Sequence, residues 1–222
     1  MAEKTELYPK TERFSLDKVS FYITEKLDGS NAVIFKYEDV LYFATRKNIF
    51  SLDELLDKKC GYKGSYGFFK KYGEKLQNEL HNDSALCGEW LGMGRLKYPE
   101  LPKFNIFAKA NIVKDETGFH LTRKSHNHEL FIYPFQDLLV PDYLGIVPEI
   151  ARTEFCDYEF LDGLYDAYCK RVDRNVEGFV ISFNDSILKY VRHKNGKLLP
   201  IHYESPSNPN ASDLARLKAV EQ

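Results

Sequence analysis

A lysine, an acid, a glycine and two small polar residues stand close together in Lys26-Leu27-Asp28-Gly29-Ser30-Asn31. A lysine amine is a nucleophile only when unprotonated, and its reference pKa is ~10.4. Burial, neighbouring positive charge or relief from nearby acids frees its lone pair. Gly29 lets the backbone take a positive φ and come close to a ligand. Ser30 and Asn31 offer neutral donors to ribose or phosphate oxygens. Taken alone, the segment reads as a surface hairpin turn with a solvated lysine.

Other clusters carry less chemistry. His126 and His128 have no Cys or acid at ligand spacing and read as solvated loop residues. The Gly-rich run 61–67 lacks the Gly-Lys-Ser/Thr ending of a phosphate loop and reads as a flexible connection, with contact to phosphate as the alternative. Lys189, Arg192, His193, Lys194 and Lys197 make a local basic group, read equally as a phosphate patch or a solvated strand end. Cys60, Cys87, Cys156 and Cys169 are widely spaced and suggest reduced thiols.

Strands and helices must position these residues. Alternation predicts strands over 21–26, 31–37, 40–46, 84–92 and 104–113, with a break at 115–118. Ser51 is a candidate cap for a helix over 51–59, and Phe68, Phe69, Tyr72, Leu76 and Leu80 share one face of a helix over 65–81. A helix is expected over 161–172. The runs 176–183 and 187–194 read as a hairpin around Asn184-Asp185. A short helix capped by Ser212 is expected at the end.

With 222 residues the chain is long enough for a real core, and 43% hydrophobic against 29% charged residues excludes a disordered tail. A net charge of −2 advertises no global field for nucleic acid, so any such binding needs a local patch. No apolar run is long enough for a membrane span, and the charged N-terminus lacks the apolar block of a signal peptide. These features point to a single domain over 1–222, without membrane contact and cytoplasmic.

The ordered set 25–31, 45–48, 87–92, 104–109, 176–182 and 188–192 resembles the motifs of the covalent nucleotidyltransferases, and above all the ATP-dependent RNA ligases of the T4 RNA ligase 2 type. The resemblance implies an α+β fold: two packed antiparallel sheets with flanking helices, an ATP-grasp-like nucleotidyltransferase domain with the nucleotide held between the sheets. Only 30 residues follow Arg192, too few for the OB-fold domain that related DNA ligases and capping enzymes append.

The same resemblance implies roles. Lys26 would attack the α-phosphorus of ATP to form lysyl-AMP, and Glu25 would help hold adenine. Asn31 would steady the reacting phosphate, Arg46 would contact ribose or phosphate, and Glu89 would accept from a ribose hydroxyl. Phe107 would stack on the base. Glu177 would bind a divalent ion, Mg²⁺ or Mn²⁺, and Lys189 would bind the α-phosphate and stabilise the transition state. Alternation groups Glu177 with Phe179 and Ile181, and Lys189 with Ile187 and Val191; a suitable register would bring Glu177 and Lys189 to one face. Two positions depart from the family pattern: Val191, where a second basic residue is usual, and Ala108, where an acid is common.

The function implied is ATP-dependent RNA ligation in RNA repair, joining 5′-phosphate to 3′-hydroxyl ends. RNA ends are the expected partner, DNA ends the alternative, and a partner protein would supply the C-terminal domain. A DNA-ligase-like enzyme and a noncatalytic nucleotide- or nucleic-acid-binding module of the same fold are the competing readings.

Overall fold

The structure, a computed structural model, describes residues 20–57, 62, 64–122, 140–183, 186–191, 193–194 and 197–198. The helix expected around Ser212, the histidines at 126 and 128, Cys60, Arg192 and the Asn184-Asp185 turn lie outside the described residues.

Alternating side chains set the strands where the pattern is strongest. β1 (Phe21–Lys26) and β2 (Ser30–Tyr37) come first, and positive φ at Glu38 and Asp39 turns the chain tightly into β3 (Val40–Thr45). A short β4 (Ile49–Ser51) runs into α1 (Leu52–Leu56), and α2 (Ser65–Glu79) comes after it. Ser51 closes a capping box: its hydroxyl accepts from the Glu54 amide while its own amide donates to the Glu54 carboxylate. Next come β5 (Ser84–Trp90), the long β6 (Phe104–Asp115) and β7 (Gly118–Thr122). The Pro-punctuated middle supplies β8 (Gly145–Ile146) and β9 (Glu149–Thr153). Then α3 (Tyr158–Val172), capped by the Asp157 side chain, leads to β10 (Gly178–Phe183) and β11 (Ser186–Val191). A last small pair is β12 (His193–Lys194) with β13 (Lys197–Leu198).

These strands form two main sheets. One has four strands in the order β11-β10-β1-β9, the other seven, ordered β4-β3-β2-β5-β6-β7 with β8 on β6. Pairing is antiparallel apart from β8, which runs parallel to β6. This is the α+β architecture that the resemblance implied, and no OB-fold occurs among the described residues.

Each sheet is covered on one side. On the smaller one, Ile23, Phe179, Ile181 and Tyr190 pack with Leu161, Tyr165 and Tyr168 of α3. On the larger, Ile34, Phe43, Leu86, Trp90 and Phe104 pack with Phe68, Phe69 and Leu76 of α2. Trp90 is fully buried, its ring 5.0 Å from Phe43 and 5.2 Å from Phe68. Each such side chain contributes about 2–3 kcal/mol by burial, and edge-to-face contact adds ~1 kcal/mol. The opposite sides of the two sheets border a shared cleft.

Candidate active site

Lys26 ends β1 in the small sheet, and Ser30 begins β2 in the large one. The segment between them is therefore a bridge across the cleft, not the hairpin that its composition suggests. Gly29 does not take the positive φ expected of it and is required for close approach alone: a Cβ would stand 2.5 Å from the Trp90 carbonyl oxygen and 3.1 Å from Glu89 Oε1. Asp28 is committed to backbone, its Oδ2 accepting from the amides of Arg95 at 2.6 Å and Leu96 at 2.9 Å. Its own amide donates to the Tyr98 hydroxyl at 2.7 Å. The acid of the motif thus fixes the bridge rather than facing the lysine.

The small sheet presents Lys26 to the cleft. Cross-strand partners share a face, and the register pairs Lys26 with Gly178, Thr24 with Val180, and Val180 with Lys189. Lys26, Val180 and Lys189 consequently look the same way, with Lys189 exposed. Glu177 departs from the alternation expected of it. The strand begins one residue later, at Gly178, whose φ of +155° turns Glu177 out of the Phe179–Ile181 face. A Cβ at Gly178 would stand 2.1 Å from the Tyr190 carbonyl oxygen. Freed in this way, Glu177 places its Oε1 against Lys26 Nζ in a close ion pair.

The large sheet supplies the opposite wall. Asn31 lies directly across from Glu89 in the β2–β5 ladder. Burial pushes the Glu89 carboxyl up to about 7, against the pull of Lys26 and with a further push from Glu177; the Gly29 amide donates to it. Phe107 is carried into the cleft by a bulge. Cys87 pairs with Ala108 and Gly88 with Ile106, so Phe107 is the extra residue. Arg46 comes after β3 in a tight turn in which the Thr45 amide donates to the Asn48 carbonyl at 2.8 Å.

These walls enclose a cavity of about 780 Å³ lined by Glu25, Lys26, Asn31, Arg46, Glu89 and Phe107, among others. Glu177 reaches this group through Lys26, and Lys189 shares its face. Glu25 borders the cavity, while its fully buried carboxylate turns to Arg174 and Tyr168, at 2.5 to 2.8 Å. Tyr62, from the Gly-rich run 61–67, and Val147, which no motif marks in the sequence, also line the cavity. Val191, at the position where the family pattern has a second cation, pairs with Gly178 and is buried. A second cavity, of about 790 Å³, lies on the other side of the large sheet against Leu76, Glu79 and Lys109. Size does not separate the two; only the first gathers the chemically marked residues.

Among the described residues no three His, Cys, Asp or Glu side chains cluster as a ready-made metal site. Nor is any described helix long and apolar enough to cross a membrane.

Residues 19–191 match the family model described as RNA ligase. Among solved structures, the chain is similar to a lysine-to-alanine mutant of the Naegleria gruberi RNA ligase with ATP and Mn, at 16% identity and a TM-score of 0.46, covering 78% of this chain and 50% of that one. It is also similar to an apo form of a second such mutant, at 17% identity and a TM-score of 0.46, with 78% and 50% covered. The chain thus spans about half the length of these structures. No curated protein sequence matches it.

Proposed function

The chain belongs to the RNA ligase family, and on that footing we propose that it is an ATP-dependent RNA ligase that charges Lys26 with AMP and joins 5′-phosphate to 3′-hydroxyl RNA ends. One observation carries this reading: Lys26, Asn31, Arg46, Glu89 and Phe107, far apart in sequence, line a single cavity. Its volume of about 780 Å³ suits a nucleotide, since ligand pockets span ~300–1,000 Å³.

The chemistry proposed is in-line transfer. The unprotonated Lys26 nitrogen attacks the α-phosphorus of ATP, the bond to the bridging oxygen breaks, and pyrophosphate leaves with that electron pair. Phe107 stacks on the adenine, Arg46 and Asn31 meet ribose or phosphate oxygens, and Glu89 accepts from a ribose hydroxyl. Lys189, on the same face as Lys26, neutralises charge at the α-phosphate. Glu25 holds the strand end from below. Glu177 would hold Mg²⁺ or Mn²⁺, with phosphate oxygens and water as the remaining ligands, as suits a hard cation at a site with a single protein carboxylate. That ion supplies neutralisation of triphosphate charge. AMP then passes to the 5′-phosphate, and the 3′-hydroxyl displaces it. RNA repair in the cytoplasm is the cellular task included in this reading.

The test is transfer of label from α-labelled ATP, with a divalent cation, to the denatured protein. Label on the wild type and none on Lys26→Ala supports the reading; none on the wild type, or equal label on both, sinks it. Nicked RNA and nicked DNA with pre-adenylylated ends then separate charging from sealing and one nucleic acid from the other. Val191 on the cleft face, in place of a second cation, favours a second reading, a noncatalytic nucleotide-binding module. That reading requires ATP binding without label.

A further inference from the structure

Arg174 stands in the short connection between α3 and β10, three residues before Glu177. Its guanidinium grips the Glu25 carboxylate with both ends of the fork, at 2.5 Å and 2.8 Å. Tyr168 adds a third hydrogen bond to that carboxylate at 2.7 Å. The other side of Arg174 donates to Glu100 at 2.7 Å, and its plane lies 4.6 Å from the centre of the Tyr98 ring. Tyr98 in turn accepts from the Asp28 amide. Contacts therefore run in a closed ring, from Arg174 through Glu25 to the backbone of Lys26, on to Asp28, and back through Tyr98. The Glu25 amide is held as well, donating to the Pro148 carbonyl at 2.9 Å.

We propose that Arg174 is a positioning residue for Lys26, fixing the backbone on both sides of the nucleophile through Glu25 and Tyr98. The inference rests on the reading of Lys26 given above.

Three features say more than a generic buried pair. First, Glu25 and Lys26 are consecutive in a strand and point to opposite sides, so anything that fixes the Glu25 side chain fixes the direction of Lys26. Second, the connection that carries Arg174 onto Glu25 also carries Glu177 onto Lys26. Neighbouring residues of one strand end are thus met by residues of one loop. Third, the charges demand each other. The Glu25 side chain is wholly buried, and Arg174 is 13% exposed. A carboxylate at such a place is tolerable only when paired and hydrogen-bonded. Burial opposes charge on Arg174, yet its bonds to Glu25 and Glu100 hold it above the ordinary arginine value. Arginine suits the task because a planar fork sets direction as well as charge, and lysine would supply charge alone.

The experiment measures single-turnover label transfer from ATP to protein at saturating ATP, beside ATP affinity and thermal unfolding. Misplacing a nucleophile by about 1 Å slows reaction roughly 100-fold. Arg174→Lys is expected to fold, to bind ATP within about threefold of wild type, and to charge about 100-fold more slowly. The neutralised double variant Glu25→Gln with Arg174→Met removes the buried charges together; it is expected to fold and to charge as slowly as Arg174→Lys. A role confined to stability would move the melting temperature and leave the charging rate of the folded protein untouched. Should Arg174→Lys not fold, Tyr98→Phe decides, with charging expected to fall about tenfold on loss of one hydrogen bond. Wild-type charging rates in the folded variants overturn the positioning role while leaving Lys26 as nucleophile. Absence of label on the wild type overturns the underlying reading instead.

Discussion

Lys26 and Glu177 lie 151 positions apart in the chain, yet the amine of one touches the carboxylate of the other. Their side chains keep 25% and 10% exposure, so the pair is sheltered without being sealed. A nitrogen in contact with that carboxylate must turn from it to reach phosphorus, so attack requires that this contact be loosened first. Lys26→Ala and Lys26→Arg should both abolish label transfer from ATP, the second because guanidinium keeps its proton. Denaturing gels with α-labelled ATP report it.

Glu177→Gln keeps the shape and an acceptor but removes the charge that a divalent cation requires. Label transfer should fall about 100-fold or more, on the scale of losing one preorganised electrostatic group. Raising the Mn²⁺ concentration should recover part of the loss. Titration of charging against metal concentration checks both halves.

Phe107 faces the cleft only because β6 bulges there. Stacking on a base is worth ~1–3 kcal/mol, so Phe107→Ala should raise the ATP concentration for half-maximal charging by about 5- to 150-fold. Phe107→Trp should stay near wild type. A saturation curve for label transfer measures each.

Asp28 should matter chiefly for stability. Asp28→Ala strands the amides of Arg95 and Leu96, each worth about 1–3 kcal/mol where water cannot replace the acceptor. A lower denaturation midpoint with unchanged slope is the expected result, read by urea unfolding. Asp28→Asn, which keeps one acceptor oxygen, should lose less.

Glu89 gives the stability a pH dependence of definite sign. Its folded carboxyl sits at about 7, above the ordinary 4.5, because burial disfavours the charged form. Between these values the folded state holds more proton than the unfolded chain, so stability falls as pH rises and levels off above the folded value. The full span amounts to no more than about 3 kcal/mol. Glu89→Gln should flatten this slope in denaturation midpoints measured from about pH 4 to 8, a range that brackets the two values.

Where side chains alternate over several residues, the strands are legible in the sequence. The 21–26 strand is found as Phe21–Lys26, and the helix expected over 65–81 as Ser65–Glu79. The helix expected over 161–172 starts earlier, at Tyr158, because Asp157 caps it. The strands β4, β8 and β9 leave no such mark, being short, half exposed or hemmed by prolines, with too few residues to display a period. Pairing across the molecule is less legible still. Alternation predicts faces within a strand, but only the register sets Lys189 beside Val180, and only the φ of Gly178 sends Glu177 to the lysine. The hold of Arg174 and Tyr168 on Glu25 is invisible in the sequence because the partners are 149 and 143 positions away, with no motif linking them.

The additional residue at Phe107 also governs the remainder of its strand. Beyond that point β6 is out of step with its first half, so Lys109 stands opposite Leu86 and borders the cavity under α2 instead of the chamber of Lys26. Excising Phe107 would straighten the strand while leaving Ile106 opposite Gly88, Ala108 opposite Cys87 and Lys109 opposite Leu86. The chamber would lose its aromatic floor and nothing else, so a single surplus position furnishes a surface that an even ladder has no room to offer.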